Sequence, residues 1–187
     1  MNFLEIEPCG AILKRLTYQT STAFPEVLQE VDRMKISELL NQDLIKVGLE
    51  GDEKEEVFEE LIDLLVRQDR LADRDAARQA ILTREEKQST GIGRGVAIPH
   101  GKSGTITQLT AALGISSEGI EYDSLDGEPV RVVFLLLAEE GNPGPHVEAL
   151  AQIATLFQVP GFIERLIAAE TSRELYDIIV VEEERDE

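Results

Sequence analysis

A glycine-rich segment that ends in a histidine is the part of the sequence best suited to chemistry. It reads Gly-Ile-Gly-Arg-Gly-Val-Ala-Ile-Pro-His-Gly-Lys over residues 91–102. Glycine lets backbone amides approach a ligand closely, because no side chain intervenes. Histidine gains or loses its charge near neutral pH, and the neutral ring has a lone pair that can attack phosphorus. His100 is one of two histidines in 187 residues, and its setting favours an imidazole that handles a phosphoryl group.

Two nucleotide-binding motifs come close to this segment, but its spacing fits neither of them. The dinucleotide fingerprint requires a third glycine at the position of Val96. The nucleoside-triphosphate loop would use Gly-Lys-Ser at residues 101–103, but it also requires a glycine at the position of Val96. Pro99 and His100 occupy the part of that loop whose amides should surround the phosphates. The sequence therefore disfavours both motifs.

A metal site is a third alternative, and the chain offers few ligands for it. A zinc site needs three or four ligands, commonly arranged as close pairs. His100 and His146 are far apart in the sequence, and Cys9 is the single cysteine. Carboxylates would have to complete such a site, so no metal is expected.

The composition describes an acidic globular protein. Its 37 Asp and Glu residues outnumber 18 Lys and Arg, giving a formal net charge of −19, which repels nucleic-acid backbones and anionic lipid. Hydrophobic residues make up 42% of the chain, yet no apolar run approaches the ~20 residues of a membrane-spanning helix. The N-terminus lacks the features of a secretory signal, and the lone Cys9 excludes an intrachain disulfide. We therefore expect a cytoplasmic protein with no nucleic-acid partner and no membrane insertion.

The hydrophobic pattern divides the chain into three segments. Residues 1–33 have no clean periodicity, and we interpret them as an N-terminal extension of uncertain order. Translation from Met34 is an alternative that the sequence leaves open. Residues 34–181 have the interleaved elements of one domain. Residues 182–187, which are nearly all acidic, predict a frayed and solvated tail.

Short apolar strands alternate with amphipathic helices through the central segment. Strands are predicted at residues 44–47, 96–98, 109–115 and 130–137. Pro99 is expected to end the second of these, since proline has no amide hydrogen for a ladder. The last is nearly all apolar, which is typical of a strand covered on both faces. The pattern predicts an α/β fold: a three-layer domain with a mixed central β-sheet flanked by helices.

Helix starts are marked by polar residues that can accept hydrogen bonds from the first free amides. Asp52, Asp73 and Thr171 are predicted to cap helices, and His146 is predicted to open a helix after a loop at residues 142–145. The first two helices are expected to bury Val57, Phe58, Leu61, Ile62, Leu65, Ala76, Ala77, Ala80 and Ile81.

The signature around His100 resembles that of a known family. Residues 89–102, with Arg84-Glu85 upstream and residues 119–130 downstream, are similar to the enzyme IIA domain of the phosphoenolpyruvate-dependent sugar phosphotransferase system, in its mannitol/fructose class. The similarity extends over roughly residues 34–179. A chain with no second phosphotransferase domain or transporter segment fits the nitrogen-regulatory branch of that class better than sugar uptake, although separate uptake partners would also be compatible with it.

The resemblance implies a role for each matching residue. His100 would accept a phosphoryl group from a histidine-containing phosphocarrier protein and pass it to a IIB domain, or hold it as a signal for a regulatory target. Arg84 would contact the phosphoryl group, and His146 would be the second active-site histidine. Phosphate-binding or supporting positions are Thr90, Gly95 and Gly101. No cofactor or metal is required. The alternative is a non-catalytic regulatory protein of the same fold, whose phosphorylation state controls partner binding.

Overall fold

The elements of the fold follow one another closely along the chain. The computed structural model describes residues 33–185. These form α1 (Ile36–Leu39), β1 (Ile45–Val47), α2 (Lys54–Arg67), α3 (Arg74–Glu85), β2 (Gly91–Gly93), β3 (Val96–Ala97), β4 (His100–Ser103), β5 (Thr110–Ile120), β6 (Val130–Glu139), α4 (Pro143–Leu156), α5 (Phe162–Ala168) and α6 (Ser172–Arg185), with a 3₁₀ turn at Gln42–Leu44. The predicted N-terminal extension, except Arg33, lies outside the described residues.

The central sheet is mixed, as the sequence predicted. Its strand order is β1-β5-β6-β3-β2, and β4 also pairs with β6. The long strands β5 and β6 are antiparallel, whereas β1 runs parallel to β5, and both β3 and β4 run parallel to β6. Helices flank the sheet: α2 packs on β5, α3 on β4, α4 and α5 on β6, and α6 on β1. Residues 132–138 of β6 are all buried, so both faces of this strand are covered.

Pro99 interrupts the line of β3 and β4 without ending its pairing with β6. β3 pairs Val96 with Val132, and β4 resumes with His100 opposite Leu136. The missing amide of Pro99 matters little here, because its carbonyl still accepts from Leu136 N at 2.9 Å. The sequence did not predict β4, whose residues are mostly polar. This continuation fixes His100 at the start of a strand.

The apolar faces of α2 and α3 are largely as predicted. The five predicted residues of α2, from Val57 to Leu65, are all buried. In α3, Ala77 and Ile81 are buried, but Ala76 and Ala80 are only half-buried. The difference arises because Ala76 and Ala80 line an open cleft instead of the core.

Two of the three predicted caps are confirmed. Asp73 Oδ1 accepts from Ala76 N at 2.9 Å at the start of α3, and Thr171 Oγ1 accepts from Glu174 N at 3.2 Å at the start of α6. Asp52 is not a cap, and α2 begins one residue later, after Glu53. The reason is that the Asp52 carbonyl accepts from Glu121 N at 2.8 Å, which keeps this segment extended beside the end of β5.

The prediction that His146 opens its helix is wrong by three residues. Residues 143–145 of the predicted loop already belong to α4, which begins at Pro143 and places His146 in its first turn. Proline is accepted there because the first helical amides have no partner within the helix, and its fixed φ suits the helical conformation.

The prediction of a solvated tail over residues 182–187 is wrong for residues 182–185, which belong to α6, and residues 186 and 187 lie outside the described residues. Helix α6 continues to Arg185, and Glu182 is 7% exposed and pairs with Arg165 and Arg185. Glu183 accepts hydrogen bonds from the backbone amides of Ile36 and Ser37 at the start of α1. Partners on two other parts of the fold thus hold these acidic residues in place. None of the helices within residues 33–185 is long and apolar enough to cross a membrane.

The cap at Asp73 gives a test of how α3 is held. Asp73→Ala should lower the free energy of unfolding by about 1 kcal/mol, because the Ala76 amide loses its acceptor. Asp73→Asn, which keeps an acceptor oxygen, should stay close to wild type. Urea unfolding measures both, and equal losses for the two variants would contradict the capping role.

Candidate active site

His100 has one ring nitrogen in a fixed hydrogen bond and the other directed at an arginine. Nδ1 lies 2.8 Å from the Ile98 carbonyl oxygen, which can only accept, so Nδ1 carries the ring hydrogen. Nε2 then has the lone pair, and it accepts from Arg84 Nε at 3.0 Å. The half-buried ring is therefore held in the tautomer whose Nε2 is nucleophilic.

Arg84 reaches His100 from the last turn of α3. Its Nη1 donates to the Gln88 carbonyl at 2.9 Å, just beyond the end of the helix. This second bond fixes the plane of the guanidinium, whose remaining N–H groups are suited to the oxygens of a phosphoryl group. The structure thus joins Arg84 to His100, as the sequence resemblance implied.

Gly101 permits this meeting by letting α3 approach β4. A Cβ built at Gly101 would lie 2.7 Å from the backbone carbon of Ala80 and 2.9 Å from its Cβ. Any larger residue would push α3, with Arg84 at its end, away from His100. Gly101 therefore supports the site through packing, and it also lines the cleft beside His100.

His146 meets His100 across the site. The two ring centroids are 5.4 Å apart and the ring planes are inclined by 50°. The His146 side chain is nearly covered, with 4% of the residue exposed, and its Nδ1 has no hydrogen-bond partner among residues 33–185. The two histidines, distant in the sequence, are therefore neighbours in the fold.

Burial keeps both rings neutral. Burial is the largest cause and the nearby His100 and Lys102 act in the same direction, so that together they lower the pKa of His146 from 6.5 to about 4. Burial also lowers the pKa of His100, although its hydrogen bond to Ile98 acts in the opposite sense. At neutral pH each ring therefore has a lone pair and one N–H.

The site lies in an open cleft that differs in charge from the rest of the protein. The cleft has a volume of about 690 Å³ and runs between α3, β4 and the start of α4. Its lining includes the cations Arg84, Lys87 and Lys102 and the carboxylate of Glu140. On a chain of net charge −19, this local excess of positive charge suits an anion. No three His, Cys, Asp or Glu side chains in the described part of the chain are grouped to hold a metal ion.

Two of the predicted supporting residues do not line this cleft. Thr90 is buried, and its hydroxyl bonds Glu85 Oε2 at 2.6 Å and the Tyr122 hydroxyl at 2.9 Å. Gly95 lies in the turn between β2 and β3 with φ of 75°, where its carbonyl accepts from Arg131 N and Val132 N. The resemblance implied a phosphate-binding or supporting role for both residues, and the path of the chain places them outside the cleft.

Sequence reasoning missed several groups that shape the site. The Ile98 carbonyl sets the His100 tautomer, and Lys102 and Lys87 contribute charge to the cleft. One signal was available for Lys102, because residues 100 and 102 lie on the same side of any strand. This signal applies only once β4 is recognised as a strand.

The contact at Gly101 can be tested by adding one methyl group. Gly101→Ala should lower the free energy of unfolding by about 1–3 kcal/mol, because the new Cβ overlaps the backbone of Ala80. Gly141→Ala is the matched control, since a Cβ there meets nothing within 4 Å. Chemical denaturation compares them, and an unchanged stability in Gly101→Ala would contradict the close approach of α3 to β4.

The neutral state of the rings predicts a pH dependence with a definite sign. As pH falls below 6.5, His146 of the unfolded chain takes up a proton before His146 of the folded chain, whose pKa is about 4. Stability should therefore decrease as the pH is lowered from 6.5 toward about 4, and the decrease should be smaller in His146→Gln. Denaturation at several pH values measures the difference, and NMR titration measures the pKa. A His146 midpoint at or above 6.5 would refute the assignment.

Comparison with known proteins places this site in a family. Residues 38–181 match the family model described as "Phosphoenolpyruvate-dependent sugar phosphotransferase system, EIIA 2". The fructose-specific EIIABC component of Bacillus subtilis is 42% identical over 146 residues, which is 78% of this chain but 23% of that protein. The fructose-specific EIIA component of Haloferax volcanii is 32% identical, over 80% of this chain and 97% of that protein.

A solved structure agrees with these matches. The nitrogen regulatory protein IIA-Ntr of Neisseria meningitidis superposes with a TM-score of 0.72 at 33% identity, over 77% of this chain and 98% of that one. Because the family match covers most of the chain, this protein belongs to the enzyme IIA family of the phosphoenolpyruvate-dependent sugar phosphotransferase system, whose members are phosphoryl carriers.

Proposed function

We propose that His100 Nε2 is the atom that accepts the phosphoryl group. The observation that carries this proposal is the hydrogen bond from His100 Nδ1 to the Ile98 carbonyl. It leaves a lone pair on Nε2, in a cleft with three cationic side chains. A neutral imidazole in a fixed tautomer needs no base to become a nucleophile.

The transfer requires little movement of protons. The phosphocarrier's N–P bond breaks as a new bond forms between phosphorus and His100 Nε2, and the electron pair returns to the carrier's ring nitrogen. The hydrogen stays on His100 Nδ1 throughout and remains hydrogen-bonded to the Ile98 carbonyl. Phosphoryl transfer of this kind depends mainly on positioning and on neutralising charge at the phosphoryl oxygens.

Arg84 has a different partner at each stage of this reaction. Before transfer its Nε–H group occupies the His100 Nε2 lone pair at 3.0 Å. When the donor approaches, the guanidinium must leave this nitrogen, and its N–H groups then bind phosphoryl oxygens. An arginine suits this role because it keeps its charge and presents several donors in one plane.

His146 contributes an N–H group without contributing a charge. Its pKa of about 4 keeps the ring neutral, and its centroid lies 5.4 Å from that of His100. A neutral ring can donate one hydrogen bond to a phosphoryl oxygen on His100. The added phosphoryl charge then meets both a guanidinium and a hydrogen-bond donor.

We infer the donor and the acceptor from this chemistry and from the family. The donor is a histidine-containing phosphocarrier protein, and the acceptor is a IIB domain or a regulatory target. The name of the Bacillus subtilis relative joins EIIA to further components, and the Neisseria relative has a regulatory name. We assign the phosphotransferase domain to residues 34–181, and we assign its reactions to the cytoplasm, where phosphoenolpyruvate is formed.

The proposal is tested by phosphorylation of each histidine variant. Incubation with phosphoenolpyruvate, enzyme I and a phosphocarrier should add one acid-labile phosphate to the wild-type chain and none to His100→Ala. His146→Ala should still take up one phosphate but more slowly, by ~10-fold or more for the lost donor. Intact-mass spectrometry at neutral pH measures the stoichiometry and rapid quenching measures the rate.

The same experiment separates the alternatives. Because the chain has two histidines, phosphate on His100→Ala at the wild-type rate would refute the assignment. A phosphorylated wild-type chain that binds a target but passes no phosphate to any IIB domain would favour the regulatory protein over the relay.

A further inference from the structure

A buried carboxylate lies directly behind the active-site arginine. Glu85 follows Arg84 in the last turn of α3, and only 8% of it is exposed. Its Oε2 accepts from Thr90 N at 3.0 Å and from the Thr90 hydroxyl at 2.6 Å. Its Oε1 lies 3.4 Å from Lys54 Nζ. A buried carboxylate is costly unless it is paired and hydrogen-bonded, and Glu85 has both kinds of partner.

The hydroxyl groups of Thr90 and Tyr122 form a chain of hydrogen bonds in which each donates toward Glu85. The Thr90 hydroxyl has a single hydrogen, and the carboxylate can only accept, so this hydrogen lies on the bond to Glu85. The Tyr122 hydroxyl, 2.9 Å away, must then donate to Thr90 Oγ1. Lys54 Nζ lies 5.8 Å from the centre of the Tyr122 ring. We call these four residues, Lys54, Glu85, Thr90 and Tyr122, the Glu85 cluster.

Two hydrogen bonds, one within the backbone and one from the imidazole to the backbone, connect the Glu85 cluster to His100. The carbonyl of Thr90 accepts from Ile98 N at 3.0 Å. The carbonyl of the same Ile98 accepts the ring hydrogen from His100 Nδ1 at 2.8 Å. The Glu85 carboxylate therefore holds Thr90, and the Thr90 carbonyl holds Ile98. The Ile98 carbonyl in turn holds the His100 ring.

We propose that Glu85 is a positioning residue for phosphoryl transfer. Its carboxylate holds the main chain of Thr90 against the end of α3, so that the Ile98 carbonyl stays where it accepts the His100 ring hydrogen and leaves Nε2 unprotonated. The residue also fixes the end of the helix that carries Arg84. This role rests on the proposed function of His100 as the phosphoryl acceptor, and it accounts for Thr90, which supports the site without lining its cleft.

The test compares two neighbouring carboxylates of the full chain. Glu85→Gln removes the buried charge and keeps the shape, whereas Glu86→Gln makes the same change at an exposed position. Nitrogen NMR of the rings at pH 7, assigned with His146→Gln, reports which nitrogen of His100 is protonated. Glu85→Gln should populate both tautomers and slow phosphorylation by ~10–100-fold, as expected for a displaced reactive group. Glu86→Gln should match wild type in both measurements.

A second pair of variants keeps the test decisive if Glu85→Gln does not fold. Thr90→Val removes the hydroxyl but keeps the shape, whereas Thr90→Ser keeps the hydroxyl. Thr90→Val should reproduce the mixed tautomers and the slower rate, whereas Thr90→Ser should behave as wild type. A folded Glu85→Gln or Thr90→Val variant that keeps the wild-type tautomer overturns the proposal, even if its phosphorylation is slow. A slow rate alone is not support, because a general loss of stability would slow the reaction without moving the ring hydrogen.

The NMR measurement also distinguishes this proposal from the one on which it rests. If the wild-type chain takes no phosphate on His100, the function proposed above fails, and the tautomers of the Glu85 and Thr90 variants still decide whether Glu85 positions the ring.

Discussion

The hydrogen bond between His100 Nδ1 and the Ile98 carbonyl is the interaction on which the site depends. A neutral imidazole has two tautomers, and only one presents a lone pair at Nε2. The backbone makes this choice, since the carbonyl two residues earlier can only accept. The bond forms in a stretch of chain that pairs with β6 on both sides of Pro99, through β3 and then β4. The tautomer is thus a consequence of strand pairing deep in the fold.

Close packing of α3 against β4 places the Arg84 guanidinium opposite His100 Nε2. Arg84 is at the end of a helix, and a helix can lie this near a strand only where the strand has no side chain. Gly101 supplies that gap against Ala80. Residue size at one position of β4 therefore sets the distance between His100 and Arg84. His146 completes the arrangement from a helix on another part of the chain, with no charge of its own.

The sequence predicted the parts of the fold that are governed by burial, and it missed those governed by pairing. Residues 130–137 were recognised as a nearly continuous apolar run, and the apolar stripe of α2 was recognised by its helical period. β4 was missed because its mostly polar residues have no apolar pattern. Its strand conformation is defined by its pairing with β6. The family resemblance implied that Arg84, His100 and His146 belong together. It did not reveal where Thr90 and Gly95 point, because that depends on the turns between elements.

The hydrogen bonds from Ile36 and Ser37 to Glu183 bring the first and last helices of the described domain together. A domain whose two ends meet can be joined to other polypeptides at both sides without being stretched. The Bacillus subtilis relative, of which the matched region forms 23%, is a longer protein that contains such a domain. Because its two ends are joined, a domain of this kind can be inserted into a longer polypeptide without rearranging its own fold.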